Sequence, residues 1–264
     1  MFNVAISPCP NDTFAFYALL HGKTSWQAPI NPIYADIEEL NTLCFKGKVH
    51  FCKISFGAYP FLKEHYRLLD AGSALGFGCG PLIVARKHMP VAALRHKTIA
   101  IPGRHTTAGL LLRLLLGSDV DTVARPFDQI MPAVAAGEVD AGLIIHESRF
   151  TYARMNLVSL IDLGDWWERE SGHALPLGGI VAKKALPDDE VAAFDRALAE
   201  SIDYAHAHRD EVVPFMKQHA QEMEPDVMNS HVALYVNAFT RSLGDQGRAA
   251  IEHLVGEARR RGIV

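Results

Sequence analysis

The chain has 264 residues, of which 49% are hydrophobic and 21% are charged, a balance typical of a globular protein with one large domain or two smaller lobes. The net charge of −4 and the lack of a basic cluster, apart from the C-terminal run 259–261, argue against a nucleic-acid partner. No apolar run approaches the roughly 20 residues of a membrane span, and no signal-peptide pattern precedes the first predicted strand, so we expect a cytoplasmic protein with no membrane partner.

The first half of the chain alternates predicted strands and helices. An apolar strand over residues 2–6 is followed by the turn Ser7–Asp12, which leads into a helix from about Thr13. Asn11 or Asp12 is the expected N-cap of that helix, because short polar side chains can accept hydrogen bonds from its first N–H groups. A second short strand then leads into the first of two similar units.

The two units share one pattern: a helix-like run stops at a glycine, a short apolar strand follows, and a polar residue stands at the strand's carboxyl end. The first unit passes Gly47 and ends at Lys53 and Ser55, and the second passes Gly137 and ends at His146. The two glycines are about 90 residues apart, which is roughly the size of one small α/β lobe. Two such lobes facing each other would place all three polar residues in one cleft.

Between the two units, the sequence predicts a further strand, a turn and a helix. Residues 98–101 form the strand, Pro102–Thr107 the turn, and Ala108–Leu116 a helix that Gly117 ends. A later strand, Leu177–Ala182, is expected to return to the first lobe.

Beyond Pro187 the pattern becomes helical. One face of the first helix carries apolar residues at spacings of three and four, namely Val191, Phe194, Leu198, Ile202 and Ala205. Further helices are predicted over residues 210–221, 225–240 and 244–261.

The order of the elements predicts an α/β chain with a two-lobed, periplasmic-binding-protein-like (type II) fold. Strands that alternate with helices favour mostly parallel sheets, with a ligand cleft at the carboxyl ends of the strands, between the lobes. The predicted first lobe is discontinuous and comprises residues 1–86 and 176–264, including the C-terminal helices, and the second lobe comprises residues 87–175.

His146 is the candidate catalytic residue. A histidine at a strand end in a cleft can act as a general base, because its ordinary pKa lies near neutral pH. The structural alternative is a histidine that only bonds a neighbouring backbone group. Glu147 would point to the opposite face of a continuing strand, so we expect it to be a structural partner of Arg149 rather than a second base.

The turns at the start of two predicted helices are candidate anion sites. The Pro102–Ala108 turn and the Ser7–Asp12 turn each present free N–H groups and the positive end of a helix dipole to the cleft. The structural alternative for the second-lobe turn is N-capping by Thr106 or Thr107, which does not exclude binding.

Lys53 and Ser55 form the third candidate site. Lysine is seldom buried without a partner, so Lys53 either holds a substrate anion or pairs with a buried carboxylate such as Asp12 or Glu38. The sequence does not choose between the two.

Other patterns are weaker. Gly76–Gly80 lacks the spacing and setting of a dinucleotide fingerprint, and a hinge or a close backbone approach explains it better. For Trp166 and Trp167, buried packing is favoured over stacking on a ligand. Zinc-site spacing is absent among the cysteines, so free thiols are expected at Cys9, Cys44, Cys52 and Cys79.

Several of these segments together resemble a known family. Ser7–Phe14 (SPCPNDTF), Pro102–Ala108 (PGRHTTA) and Gly142–Tyr152 (GLIIHESRFTY) are similar to hallmark segments of the 1,4-dihydroxy-6-naphthoate synthase family, which belongs to the futalosine route of menaquinone biosynthesis. The similarity extends to Asp165–Glu168 and Tyr235–Phe239, so it covers nearly the whole chain.

The resemblance implies a reaction and a set of site residues. The substrate would be cyclic dehypoxanthine futalosine, a small carboxylate, and the product 1,4-dihydroxy-6-naphthoate. The family's proton acceptor falls on His146, and its substrate contacts fall on Lys53, Ile54, Ser55, Thr107 and Ala108. Neither a cofactor nor a metal is expected for this lyase chemistry, and a homodimer is left open as its assembly.

Two other functions stay open at the level of the sequence. One is a solute-binding protein that captures a carboxylate without turning it over, although the missing signal-peptide pattern disfavours this function. The other is the sister enzyme of the same pathway, which forms an enolpyruvyl-benzoate from chorismate on a similar fold.

Overall fold

The computed structural model describes residues 1–220 and 224–264. Its strands are β1 (Phe2–Ile6), β2 (Ile30–Tyr34), β3 (Phe51–Ser55), β4 (Tyr66–Leu68), β5 (Ala74–Gly76), β6 (Leu82–Ala85), β7 (Ile99–Ile101), β8 (Thr122–Ala124), β9 (Ala141–Ile144), β10 (Val158–Asp162) and β11 (Leu175–Lys183). Its α-helices are α1 (Pro10–Leu20), α2 (Ile37–Phe45), α3 (Tyr59–Leu62), α4 (Thr107–Leu116), α5 (Phe127–Ala136), α6 (Ser148–Thr151), α7 (Leu163–Ser171), α8 (Asp188–Ala207), α9 (Arg209–His219), α10 (Pro225–Tyr235), α11 (Ala238–Arg241) and α12 (Gly244–Arg260). Among the described residues, no helix combines the length and the apolar character needed to cross a bilayer.

The strands form two sheets, one in each predicted lobe. The first sheet has the order β2-β1-β3-β11-β4, with β5 also paired to β11, and the second has the order β10-β6-β9-β7-β8. Parallel pairs join β1 to β2 and β3, and β7 to β8 and β9. The two-lobed α/β architecture is therefore confirmed.

Both sheets are mixed, where the sequence suggested mostly parallel pairing. β11 runs antiparallel to β3, β4 and β5, and β6 runs antiparallel to β9 and β10. Each of these two strands is the first that the chain forms after it has crossed from the other sheet. Both β6 and β11 run antiparallel to the strands beside them in the sheet that the chain has just entered. Parallel pairs therefore occur on only one side of each sheet.

The first crossing lies between β5 and β6, through Phe77–Pro81. β6 therefore belongs to the second sheet, although the predicted first lobe extended to residue 86. The glycine-rich segment ends in a close backbone approach, because Gly80 lies against Gly164 at the start of α7. The expected close approach thus marks the place where the chain changes lobes.

The C-terminal helix α12 packs where the two lobes meet. Its apolar residues Ile251 and Leu254 share one buried cluster with Leu110 and Leu111 of α4. The Arg261 guanidinium also donates a hydrogen bond of 2.8 Å to the carbonyl of Leu114. The prediction placed all C-terminal helices in the first lobe. α12 contacts that lobe, where Arg248 pairs with Asp70 at 2.7 Å, and its apolar face also packs against α4 of the second lobe.

The core of the first lobe lies between its sheet and the helices α1 and α8. The predicted apolar face of α8 is buried as expected, with Phe194 and Leu198 fully enclosed. The Phe194 ring stacks on Phe51 of β3 with centroids 3.6 Å apart. Burial of such side chains is typically worth about 1.5–3 kcal/mol each, so this face holds the helix on the sheet.

The predicted glycine stops are confirmed. Gly47, Gly117 and Gly137 follow α2, α4 and α5 with φ angles of +63°, +97° and +77°, a region that other residues rarely adopt. The start of α1 differs from the prediction, because Cys9 precedes the first helical residue, Pro10, and no side chain caps it. The Asp12 carboxylate is engaged elsewhere, as described below.

We predict that Gly80→Ala destabilises the crossing. A Cβ at this position would lie 2.1 Å from the Gly164 nitrogen, so one of two backbones must move. The expected loss in the free energy of unfolding is about 1–3 kcal/mol, measured by chemical denaturation. Gly256→Ala in α12 is the control, since nothing lies within 4 Å of its Cβ and helix propensity predicts a small gain. Equal effects of the two substitutions would contradict the close approach.

Candidate active site

A cavity lies between the two sheets, at the carboxyl ends of their central strands. The first lobe contributes Asp12, Lys53 and Ser55, and the second contributes Thr107, Ala108 and His146. The cavity therefore brings together all the predicted site residues but one. Ile54 is fully buried in the core beneath β3, because neighbouring residues of a strand face opposite sides of the sheet.

The Lys53 ammonium is paired with the Asp12 carboxylate at 2.6 Å, and both side chains are more than nine-tenths buried. The same carboxylate accepts hydrogen bonds from the Ser7 hydroxyl at 2.8 Å and from the Asn11 amide at 2.8 Å. These donors offset the cost of burying the charge. Of the two carboxylates that the sequence left open as partners of Lys53, the structure selects Asp12.

Glu38, the other candidate partner, bonds across the cleft instead. Its carboxylate lies 3.1 Å from the backbone nitrogen and 3.1 Å from the ring Nδ1 of His105, on the predicted second-lobe turn. The interaction holds that turn against α2 of the first lobe.

Ser55 and Thr107 join the two lobes inside the cavity. The Thr107 N–H donates to the Ser55 hydroxyl at 2.5 Å, and the Thr107 hydroxyl donates to the Leu177 carbonyl at 2.7 Å. Thr106 caps α4 as predicted, because its hydroxyl accepts a bond from Gly109 N–H. The Ala108 N–H has no acceptor among the described residues, so it is open to a ligand.

His146 follows the end of β9 in a left-handed backbone conformation, with φ of 55°. This region is uncommon for a residue with a side chain and marks local strain. The half-buried ring lies edge-on to Phe127, with centroids 5.1 Å apart, and lines the cavity. No hydrogen bond to the ring is present among the described residues, so its nitrogens are available to a ligand.

The surroundings of His146 keep its imidazole neutral. Burial lowers its pKa from 6.5 to about 4, because desolvation penalises the charged ring. The Asp12 carboxylate opposes this lowering of the pKa, and the Lys53 ammonium adds to it. A neutral imidazole at neutral pH can accept a proton.

The sequence analysis missed His231, which lies beneath the cavity on α10. Its Nε2 is 2.9 Å from the Asn11 side-chain oxygen. The Asn11 amide nitrogen donates to Asp12, so the oxygen is the acceptor and Nε2 carries the proton. The residue could have been noticed, since His231 and Tyr235 fall four apart on the buried face of α10.

Glu147 and Arg149 are not partners in the way the sequence suggested. Arg149 pairs with Asp162 at 2.8 Å and donates to the carbonyl of Gly80 at the lobe crossing. Glu147 is buried, with a carboxylate oxygen 3.9 Å from Nδ1 of His231. The chain leaves the strand at His146, so the alternation used to place Glu147 no longer applies.

Trp167 is 3% exposed within a hydrophobic cluster, which confirms its predicted buried packing. Trp166 is partly buried and packs against the same cluster. All four cysteines are free, as predicted, and all of them are buried.

Two α/β lobes, joined by two crossings and enclosing a cavity at the ends of their strands, define a protein of the periplasmic-binding-protein-like class. Solved structures agree. A crystal structure of an Archaeoglobus fulgidus protein matches with a TM-score of 0.94 and 37% identity over 100% of this chain and 98% of that one. The alkanesulfonate-binding protein of Xanthomonas axonopodis pv. citri matches with a TM-score of 0.71 over 100% and 94% of the two chains, but at 14% identity it shares the fold alone.

Sequence comparison identifies the family within this class. Residues 2–260 match the family model described as menaquinone biosynthesis, so the chain belongs to that family. A Thermus thermophilus protein named 1,4-dihydroxy-6-naphtoate synthase is 46% identical over 98% of this chain and 94% of its own length. A Streptomyces coelicolor protein of the same name is 41% identical over 99% and 94% of the two chains.

We predict that Asp12→Ala lowers the free energy of unfolding by about 3–5 kcal/mol, because it leaves the buried Lys53 ammonium without its counter-charge. Urea denaturation measures the loss. The matched control is Asp203→Ala, which removes an exposed ion pair to Arg241 and should cost no more than about 1 kcal/mol. Similar losses for both variants would show that burial of the Asp12–Lys53 pair does not matter.

Proposed function

We propose that the protein is a cytoplasmic lyase that converts cyclic dehypoxanthine futalosine into 1,4-dihydroxy-6-naphthoate, with His146 as general base and without a cofactor. Family membership and the shared name of two relatives support the reaction. The observation that carries the catalytic role is the neutral His146 ring, which faces a cavity lined by hydroxyl and N–H donors.

The proposed chemistry needs a base and oriented donors. Fragmentation begins when the imidazole of His146 takes a proton from substrate carbon, and the electron pair left behind drives cleavage of a carbon–carbon bond. Aromatisation of the product makes the overall change favourable. Hydrogen-bond donors near the developing negative charge stabilise the transition state, and they act most strongly where water is excluded.

The substrate carboxylate is proposed to bind at the start of α4. The Ala108 N–H and the positive end of the helix dipole face the cavity there, beside the hydroxyls of Ser55 and Thr107. The Lys53 ammonium adds little net charge to the site, because Asp12 already balances it. An ammonium has three N–H donors, and the one not directed at Asp12 or the Gly72 carbonyl is open to the substrate.

We predict that His146→Asn lowers kcat by roughly 10²–10⁴-fold, the usual worth of general-base assistance. Asparagine tolerates the left-handed backbone at this position but cannot accept a proton at neutral pH, so the variant separates base chemistry from strain. Turnover of purified cyclic substrate is followed by mass spectrometry, which also distinguishes this product from that of a chorismate-consuming enzyme. Near wild-type turnover by His146→Asn would refute the role of His146. Substrate binding without any turnover by the wild-type protein would refute the proposed reaction.

We also predict the pH dependence of kcat/KM. The active form has neutral His146, and its pKa is lowered, so activity is retained as pH falls through 6.5 and is lost only toward pH 4. The acid limb of the profile should therefore lie between these two values. It should be absent from the residual activity of His146→Asn. A limb above pH 6.5 would contradict the desolvated environment of the ring.

A further inference from the structure

Three potential metal ligands converge beside the cavity. The Cys9 sulfur, a ring nitrogen of His146 and a carboxylate oxygen of Glu147 all lie within 4.8 Å of one another. Cys9 and Glu147 are buried, and His146 opens to the cavity. Cys9 comes from the first lobe, just before α1, whereas the other two follow β9 of the second lobe.

We propose that Cys9, His146 and Glu147 bind a divalent cation of borderline softness, best matched by Zn²⁺, and that the bound metal inhibits the enzyme. Thiolate, imidazole and carboxylate are the ligand types that zinc uses, and three protein ligands leave a fourth position open. That position would face the cavity, which His146 lines. The thiolate favours zinc over Mg²⁺ or Ca²⁺, which prefer oxygen ligands alone.

The charges at the site suit a dication. A thiolate and a carboxylate together with a neutral imidazole would balance Zn²⁺, and the nearby Lys53 charge is already balanced by Asp12. A cysteine thiol ordinarily keeps its proton at neutral pH. Binding then forms a Zn–S bond, breaks the S–H bond and releases one proton to solvent.

The geometry requires a small contraction. In a tetrahedral zinc centre with these ligands, neighbouring ligand atoms are about 3.3–3.6 Å apart. Separations of up to 4.8 Å must therefore shorten by up to about 1.5 Å when the metal binds. Because the ligands come from both lobes, bound metal would also hold the lobes together.

The inhibitory part of this inference rests on the proposed function of His146. A lone pair that binds zinc cannot accept a proton from substrate, so metal binding and base catalysis exclude each other. The binding part does not depend on any reaction, and the two parts can be tested separately.

Binding is tested with Co²⁺ alone on the purified, chelator-treated full chain. We expect one equivalent of Co²⁺ to produce a thiolate-to-cobalt charge-transfer band that Zn²⁺ abolishes by displacement. Cys9→Ser should remove the band. It should also weaken Zn²⁺ binding by at least about 100-fold, since even the loss of an outer partner costs roughly 10–100-fold. Cys79→Ser is the matched control, because Cys79 is buried and lines the same cavity but lies outside the three-ligand group.

A band that survives in Cys9→Ser, or one that disappears in Cys79→Ser, would overturn the site. Glu147→Gln provides a second variant that keeps side-chain volume, and its circular dichroism spectrum confirms folding. It should also lose Zn²⁺ affinity, and unchanged affinity would remove Glu147 from the site.

Inhibition is measured as the ratio of turnover with and without one equivalent of Zn²⁺. The ratio should fall at least about tenfold for the wild type and for Cys79→Ser, and stay near one for Cys9→Ser. Zinc binding without loss of turnover would refute the inhibitory role and leave the site intact. Cys9-dependent binding in a protein that never converts the substrate would refute the proposed function and leave the site intact.

Discussion

The buried ion pair between Asp12 and Lys53 is the interaction on which the rest of the site depends. Two charges removed from water need hydrogen bonds from neighbouring groups to offset the cost of desolvation. Ser7, just before α1, and Asn11, in its first turn, supply such donors to Asp12. Asn11 also forms a hydrogen bond with His231, so the polar groups around the Asp12–Lys53 pair hold α10 beneath the cavity.

Residues of the proposed substrate site form the hydrogen bonds that join the two lobes. Ser55 receives the first N–H of α4, and Thr107 bonds the Leu177 carbonyl and the Gly57 N–H of the first lobe. A ligand that competes for these donors would change the contact between the lobes, so binding and lobe position are linked. This coupling follows from placing the anion site at the interface rather than inside one lobe.

The strained backbone at His146 underlies both the proposed general base and the proposed metal site. The left-handed turn at His146 ends β9 and directs the imidazole into the cavity, and it also turns Glu147 inward toward His231 and Cys9. A strand that continued through His146 would have placed these two side chains on opposite faces. The proposed base and the proposed metal site therefore share a single backbone feature, and strain at such a place is common in functional sites.

The sequence by itself determined the features that depend on neighbouring residues. Glycine stops at Gly47 and Gly137, the Thr106 cap and the apolar face of α8 are local patterns, and they were predicted correctly. Local patterns also placed polar residues at strand ends. Only the tertiary structure chose Asp12 over Glu38 for Lys53, packed α12 against both lobes and brought His231 to Asn11. Asn11 and His231 are 220 positions apart. Contacts between residues so far apart in the sequence produce no periodic pattern of residue types, because they depend on how whole helices and strands pack.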